Sequence, residues 1–344
     1  MQQDQLKTTA RWVFIASAGC MILYFGKALF IPVSFSLLIS FLLYPVCKWL
    51  EGKGFSRTAA IAAGLILVTL LIGSVIFLLV NQFAAFQHSW TGMSMKLETT
   101  LDDLSVFLND NLGITPEGQK EWFKKAGNEI LGALGSALFN SGAFLALALI
   151  IPVYSALMLY HRRMLVDILL AQFKQEERNK VVSVLHKVIG TYYNFIKGML
   201  IVYLCVGLLN STGLWILGIP QAFLFGFIAS ILTFIPYVGI MVASLLPISV
   251  AWFTKDSLWY PLGVVGVFAF VQYLEANLIF PMAVSSRLKI NTLVTLLVMF
   301  AGGILWGAAG MILFIPFLAI AKLIADEMDP KGTLARLLGN GNQH

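Results

Sequence analysis

The sequence predicts an all-α, polytopic transmembrane helical protein. It has about eight membrane segments, including two interrupted helix pairs that are re-entrant or broken, and amphipathic helices outside the membrane. Three observations carry this. Of the 344 residues, 59% are hydrophobic and 12% charged, where soluble domains carry about 25% charged residues. Several apolar runs exceed the roughly 20 residues that a helix needs to cross a bilayer. The alternating pattern of a membrane barrel is missing, so the backbone must satisfy itself as helices. The net charge of +6 comes from basic residues near segment ends, where they set topology, and does not indicate a nucleic-acid partner.

The first span is expected from about Trp12 to Ile31, ended by Pro32, with Lys27 snorkelling to the interface. Lys7 and Arg11 precede it, and Ser17-Ala18-Gly19-Cys20 faintly resembles a lipoprotein cleavage site. Hydrophobicity continues past Cys20, so the reading is an uncleaved span. The second span, about Val33 to Trp49, leads into a glycine turn with Lys48, Glu51, Lys53 and Arg57. The third runs from about Thr58 to Val80 with Gly64 and Gly73, small residues that let helices approach. Residues 1–85 thus read as three N-terminal spans.

Residues 86–135 change character. Leu97, Leu101, Leu104, Leu108 and Leu112 recur at helical spacing among acids. Thr115-Pro116-Glu117 starts a second amphipathic helix. The pair reads as a hairpin on the membrane surface or on a neighbouring subunit. A fourth span occupies 136–160, a basic amphipathic cytoplasmic helix 161–197, and a core with interrupted helices 198–328. A cytoplasmic tail, 329–344, follows. The stretch from Lys48 to Arg57 holds three basic residues and one acid, Asn81 to Gly135 four and seven, and His161 to Lys197 seven and three. Alternating basic and acidic loops place both termini in the cytoplasm.

The last third carries the candidate site. From Ala222 to Trp252 one apolar run is interrupted at Thr233-Phe234-Ile235-Pro236-Tyr237-Val238-Gly239. As one helix it would be about 46 Å long, more than the hydrocarbon core. Proline and glycine argue for a break whose freed carbonyls need protein, water or an ion; a plain kink is the alternative. The run from Asn291 to Ala325 is likewise broken by Gly302, Gly303, Gly307 and Gly310, with Pro316 later. Gly303 and Gly307, four apart, suggest close packing. Between the two runs lies Leu258 to Pro281, read as one spanning helix that bears Gln272, Glu275 and Asn277 near its end. Glu275 is the only acid inside a long apolar segment. A carboxylate there costs roughly 2.5–3.5 kcal/mol unless protonated, paired or wet. Gln272 and Glu275 share a helix face. That face either lines a solute or proton path, or carries a protonated Glu275 bonded to a neighbouring helix.

Other chemistry is poorly represented. Cys20, Cys47 and Cys205 read as small core residues. His88, His161, His186 and His344 form no metal pair, and no phosphate-binding loop is present. No cofactor, metal site or enzymatic couple is expected.

In order along the chain, Leu217-Gly218-Ile219-Pro220, Phe234 to Gly239, Gln272-Tyr273-Leu274-Glu275-Ala276-Asn277-Leu278-Ile279-Phe280-Pro281 and the glycine-rich stretch from Gly303 to Pro316 resemble the AI-2E family. Tyr44-Pro45 and Arg57 extend the resemblance over nearly the whole chain. It implies a multi-pass protein of the bacterial inner membrane that forms a homo-oligomer among membrane lipids. It also implies export of autoinducer-2 or, as for other members, sodium or lithium/proton antiport. The chain departs from the family pattern at Ile240, where a proline is usual, and from Met282 to Lys289. These changes bear on substrate more than on fold. The leading expectation is a secondary exporter of a small polar molecule. Glu275 would carry or gate a proton, Gln272 and Asn277 would bond solute, and Pro236, Tyr237 and Gly239 would shape the path. Gly302, Gly303, Gly307, Gly310, Pro281 and Pro316 would serve hinge motion or close packing. A monovalent-cation/proton antiporter and a non-transporting oligomeric scaffold are the alternatives.

Overall fold

A computed structural model describes residues 2–78, 141–233, 238–255, 257–283, 290–330 and 332–339, with a few isolated positions between 80 and 129. The acidic amphipathic stretch of residues 86–135, Pro236, Tyr237 and the loop with Arg287 and Lys289 lie outside the described residues. Regular structure among the described residues is helical, apart from one antiparallel bridge between Ile290 and Gly339. Five helices among them are long and apolar enough to cross a membrane, and four shorter helices are apolar as well. The chain is an all-α, multi-pass membrane protein.

The chain divides into two compact units. The first comprises Met1–Val68, Ala146–Ile196 and Ser286–His344, the second Thr69–Leu145 and Lys197–Ser285. The first unit opens with α1 (Gln2–Phe25) and α2 (Lys27–Gly52). The expected break at Pro32 is not there. The chain turns at Gly26, where a Cβ would come 2.7 Å from the Ile22 carbonyl oxygen. Pro32 lies inside α2, past its first turn, so its missing N–H leaves one ladder bond, to the Ala28 carbonyl, unmade. Lys27 therefore begins the second helix rather than closing the first span.

Two helices pack on α2: α3 (Arg57–Leu78), whose first part belongs to this unit, and α4 (Ser141–Tyr160). Leu43, Cys47, Ala60, Ile61 and Leu159 form their common core. Serines stitch α2 to α4: Ser36 Oγ donates to the carbonyls of Pro32 (2.6 Å) and Ile151 (3.0 Å), and Ser155 Oγ donates to that of Ser36 (3.2 Å). Small hydroxyl residues suit such an interface, because the helices close up and the hydroxyl finds an acceptor inside lipid. A short amphipathic helix, α5 (Arg162–Ala171), follows α4 without a single buried residue.

The basic segment and the next apolar one form a single helix, α6 (Gln175–Ile216), which is about 63 Å long at 1.5 Å per residue. Its residues up to Ile196 belong to the first unit and those from Lys197 on to the second. In the second unit α7 (Ala222–Leu232) and α8 (Val238–Thr254) are the two arms of the first interrupted run. Then comes α9 (Trp259–Leu274). Leu214, Leu224, Phe225, Ala229, Val250 and Val264 are among the buried residues that join these helices.

The second interrupted run is a helical hairpin in the first unit, α10 (Thr292–Trp306) and α11 (Ala308–Met328), turning at Gly307. At φ 63° and ψ −144°, Gly307 holds a backbone conformation open only to glycine. A Cβ there would meet open space, so the expected close-packing role of a Gly303–Gly307 pair is corrected: Gly307 is needed for its torsion. A last helix, α12 (Thr333–Leu338), folds back so that the Asn291 N–H donates to the Leu338 carbonyl at 2.9 Å.

Candidate functional site: a buried polar cluster in the second unit

The buried face of α9 is Val264, Phe268 and Val271, and Glu275 continues it at 8% exposure. This is a helical stripe whose last member is a carboxylate. The helix does not run on unchanged to Pro281. From Glu275 to Ile279 it is a π-helix, in which the Phe280 N–H donates to the Glu275 carbonyl, before a last α-turn over Phe280–Ala283 that includes Pro281. Such widened turns are rare and occur often at functional sites. Spacing parts the three polar residues of this helix, since Asn277 lies two residues from Glu275 and so near its opposite side. Glu275 is buried, Gln272 is partly buried, and Asn277 is exposed. Asn277 Nδ2 donates to the Tyr273 carbonyl at 2.9 Å, adding a donor where the bonding changes register.

Two glycine contacts give the register of α6 against α9. A Cβ on Gly213 would lie 2.4 Å from Val267, and one on Gly263 would lie 3.1 Å from Leu217. The helices are therefore antiparallel. Moving back along α6 and forward along α9 brings Tyr203 opposite Glu275, and Tyr203 lies within electrostatic reach of that carboxylate. Asn210, two turns on from Tyr203 and on the same face, is fully buried, as is Ser211. The third wall is α7. Gly226 lets it approach so closely that a Cβ there would be 2.5 Å from the Ser211 backbone nitrogen.

The cluster holds polar atoms in surplus. Glu275 Oε2, Gln272 Oε1, Tyr203 Oη, Ser211 Oγ and both amide atoms of Asn210 are enclosed without a hydrogen-bond partner. Among the described residues no cation pairs with Glu275. A buried polar group left unpaired costs about 1–3 kcal/mol, and such groups are uncommon in native proteins. Glu275, with Tyr203 across from it and Gln272 one turn before it, inside apolar helices, makes a place where a proton, a polar solute or water would find ready partners.

Other residues singled out from the sequence fall elsewhere. Gly239 opens α8, where a Cβ would sit 1.7 Å from the Leu232 carbonyl oxygen, so it holds the two arms together. In the first unit Gly302, Gly303 and Gly310 belong to the α10–α11 hairpin, and Pro316 is buried within α11. Tyr203, Asn210 and Ser211 were not singled out. An asparagine near the middle of an apolar run is the signal that the sequence offers for them.

The sequence model described as AI-2E family transporter matches residues 13–329. The chain belongs to the AI-2E transporter family. Three relatives agree with it over most of their length. A Bacillus subtilis (strain 168) protein named "Putative transport protein YrrI" is 27% identical over 87% of this chain and 86% of its own. A Mycobacterium tuberculosis protein, "Putative transport protein MT0215", is 26% identical over 91% and 89%. YhhT of Escherichia coli (strain K12), with a name of the same form, is 22% identical over 99% and 98%. Membership of the AI-2E family makes this chain a multi-pass membrane transporter.

Proposed function

We propose that this chain is a secondary transporter that exports a small polar molecule, an autoinducer-2-like signal, across the bacterial inner membrane. Both termini are cytoplasmic and the working unit is a homo-oligomer. The observation that carries the reading is the buried Glu275 at the start of a π-helical turn, beside the unpartnered Tyr203 and Gln272, with the unpartnered Asn210 and Ser211 further along α6. Glu275 carries or gates the proton. The neutral residues receive the solute's hydroxyl and carbonyl groups, which would satisfy atoms that otherwise cost energy. Asn277 hydrogen-bonds solute or water, and Pro236, Tyr237 and Gly239 shape the path.

A second reading, monovalent-cation/proton antiport, is favoured by the same cluster, because a lone carboxylate amid neutral oxygens suits a small cation as well as a proton. One experiment separates the two. Proteoliposomes with an internal pH dye receive sodium or lithium outside, for wild type and Glu275→Gln. No cation-dependent pH change, with uptake of labelled autoinducer-2 into inverted vesicles that Glu275→Gln abolishes, supports export. A cation-dependent pH change lost in Glu275→Gln supports antiport. Absence of both fluxes from wild type would sink the transport mechanism and favour a scaffold.

A further inference from the structure

At one end of α2, α3 and α4 the first unit gathers basic and aromatic side chains that the transport reading does not use. Arg57, at the start of α3, donates through Nη2 to the Leu159 carbonyl at 3.0 Å. Arg162 donates through Nη2 to both oxygens of Glu51, each at 2.7 Å. These bonds bring the three helix ends to one level. Lys48, Lys53 and Arg163 lie in the same segments, so five basic residues stand against two carboxylates, Glu51 and, one turn after Arg163, Asp167. The guanidinium groups are not saturated: Arg57 Nε and Arg162 Nη1 are enclosed with no acceptor. Each guanidinium stacks on a tyrosine, Arg57 on Tyr160 and Arg162 on Tyr44, both at 5.4 Å. The Lys53 ammonium lies 4.0 Å over the exposed Trp49 ring.

Tryptophan, tyrosine and basic residues at the ends of spans mark the headgroup level of a bilayer. Two apolar surfaces lead away from this corner. One is the exposed ridge of Leu149, Val153 and Leu157 down α4, at every fourth position. The other is α5, where Met164, Leu165, Ile168 and Leu169 are all exposed. An amphipathic helix with arginines at its start and an uncovered apolar face lies in the membrane interface.

We propose that this corner is a binding site for one anionic phospholipid, with its phosphate at Arg57, Arg162 and Lys48 and its acyl chains along the α4 ridge. A phosphate offers Arg57 Nε and Arg162 Nη1 the acceptors that Glu51 does not reach. The unpartnered nitrogens are covered in this conformation, so the headgroup enters as the half-exposed Tyr160 ring or the Arg57 side chain moves aside. Basic pockets between helices at the cytoplasmic face are the usual form of such sites.

The test uses the full-length protein, purified in neutral detergent, with retained lipid read by native mass spectrometry and stability by thermal melting. Phosphatidylglycerol, phosphatidylcholine with the same chains, and inorganic phosphate are added separately. Phosphatidylglycerol should be retained and should raise Tm, while the other two do neither. Arg57→Gln and Lys48→Gln should each weaken phosphatidylglycerol retention about fivefold, as expected for one basic residue at an anionic surface. Lys197→Gln, exposed and in the second unit, should leave it unchanged. Should Arg57→Gln fail to yield monodisperse protein, Lys48→Gln decides. Equal retention of phosphatidylcholine, equal stabilisation by inorganic phosphate, or unchanged retention in Lys48→Gln would each overturn the proposal.

Discussion

Gly302 and Gly310 meet backbone to backbone across the α10–α11 hairpin. A Cβ on Gly310 would lie 1.9 Å from the Gly302 carbonyl oxygen, and one on Gly302 would lie 2.6 Å from that of Gly310. No rotamer relieves a clash with backbone, so the hairpin would have to open. Gly310→Ala should cost about 3 kcal/mol or more, at the upper end of overpacking changes. Gly303 faces only the flexible end of Met311, 2.6 Å from its terminal methyl, so Gly303→Ala should cost about 1 kcal/mol. Thermal melting of both variants checks the order.

Gly307 tests torsion without crowding. Its Cβ position is empty, yet its φ is positive. Gly307→Ala should lose roughly 1–3 kcal/mol from backbone strain alone. A Tm equal to that of wild type would show that the turn relaxes to another conformation.

Asn210 separates stability from function. Both of its amide atoms are buried and unpartnered. Replacement by an apolar residue of similar volume removes that penalty. Asn210→Leu should melt at the same temperature as wild type or higher, with flux in proteoliposomes cut at least tenfold. A variant that is both stable and active would remove Asn210 from the path.

Two of the ion pairs in the first unit should differ in worth. Arg162 and Glu51 have side-chain exposures of 13% and 20%, so Glu51→Ala leaves a partly buried guanidinium uncompensated, at a cost of roughly 3 kcal/mol. Lys187 and Glu327 are exposed to 56% and 31%, and Glu327→Ala should cost less than about 1 kcal/mol. Raising salt should erase the smaller effect and leave most of the larger. Melting curves at low and high salt check both.

The helical, multi-pass class was legible because it rests on composition and run length, which no tertiary contact alters. Long apolar runs have one backbone solution in lipid. The two interrupted runs were legible for a related reason: proline and glycine act on their own backbone. Glu275 could be singled out because a carboxylate in an apolar run is costly in almost any fold.

Other features needed neighbours. Pro32 looks like a helix end, but the chain turned at Gly26, where close contact with Ile22 and Phe30 excludes a side chain. Gln272, Glu275 and Asn277 were expected to act along one ideal helix. Glu275 falls on the buried stripe of α9, and Asn277, two residues on, falls near the opposite side; the π-helical turn from Glu275 to Ile279 is what nothing in the local sequence announces. Tyr203, Asn210 and Ser211 lie some seventy residues before Glu275 in the sequence. They join it only through the antiparallel register of α6 and α9, fixed where Gly213 receives Val267 and Gly263 receives Leu217. The sequence by itself determined the helices, the approximate places where they break, and the presence of one expensive carboxylate, since each follows from local covalent chemistry and transfer from water. Only the tertiary structure decided which neutral groups surround that carboxylate, because glycine-mediated approach between helices depends on both partners at once.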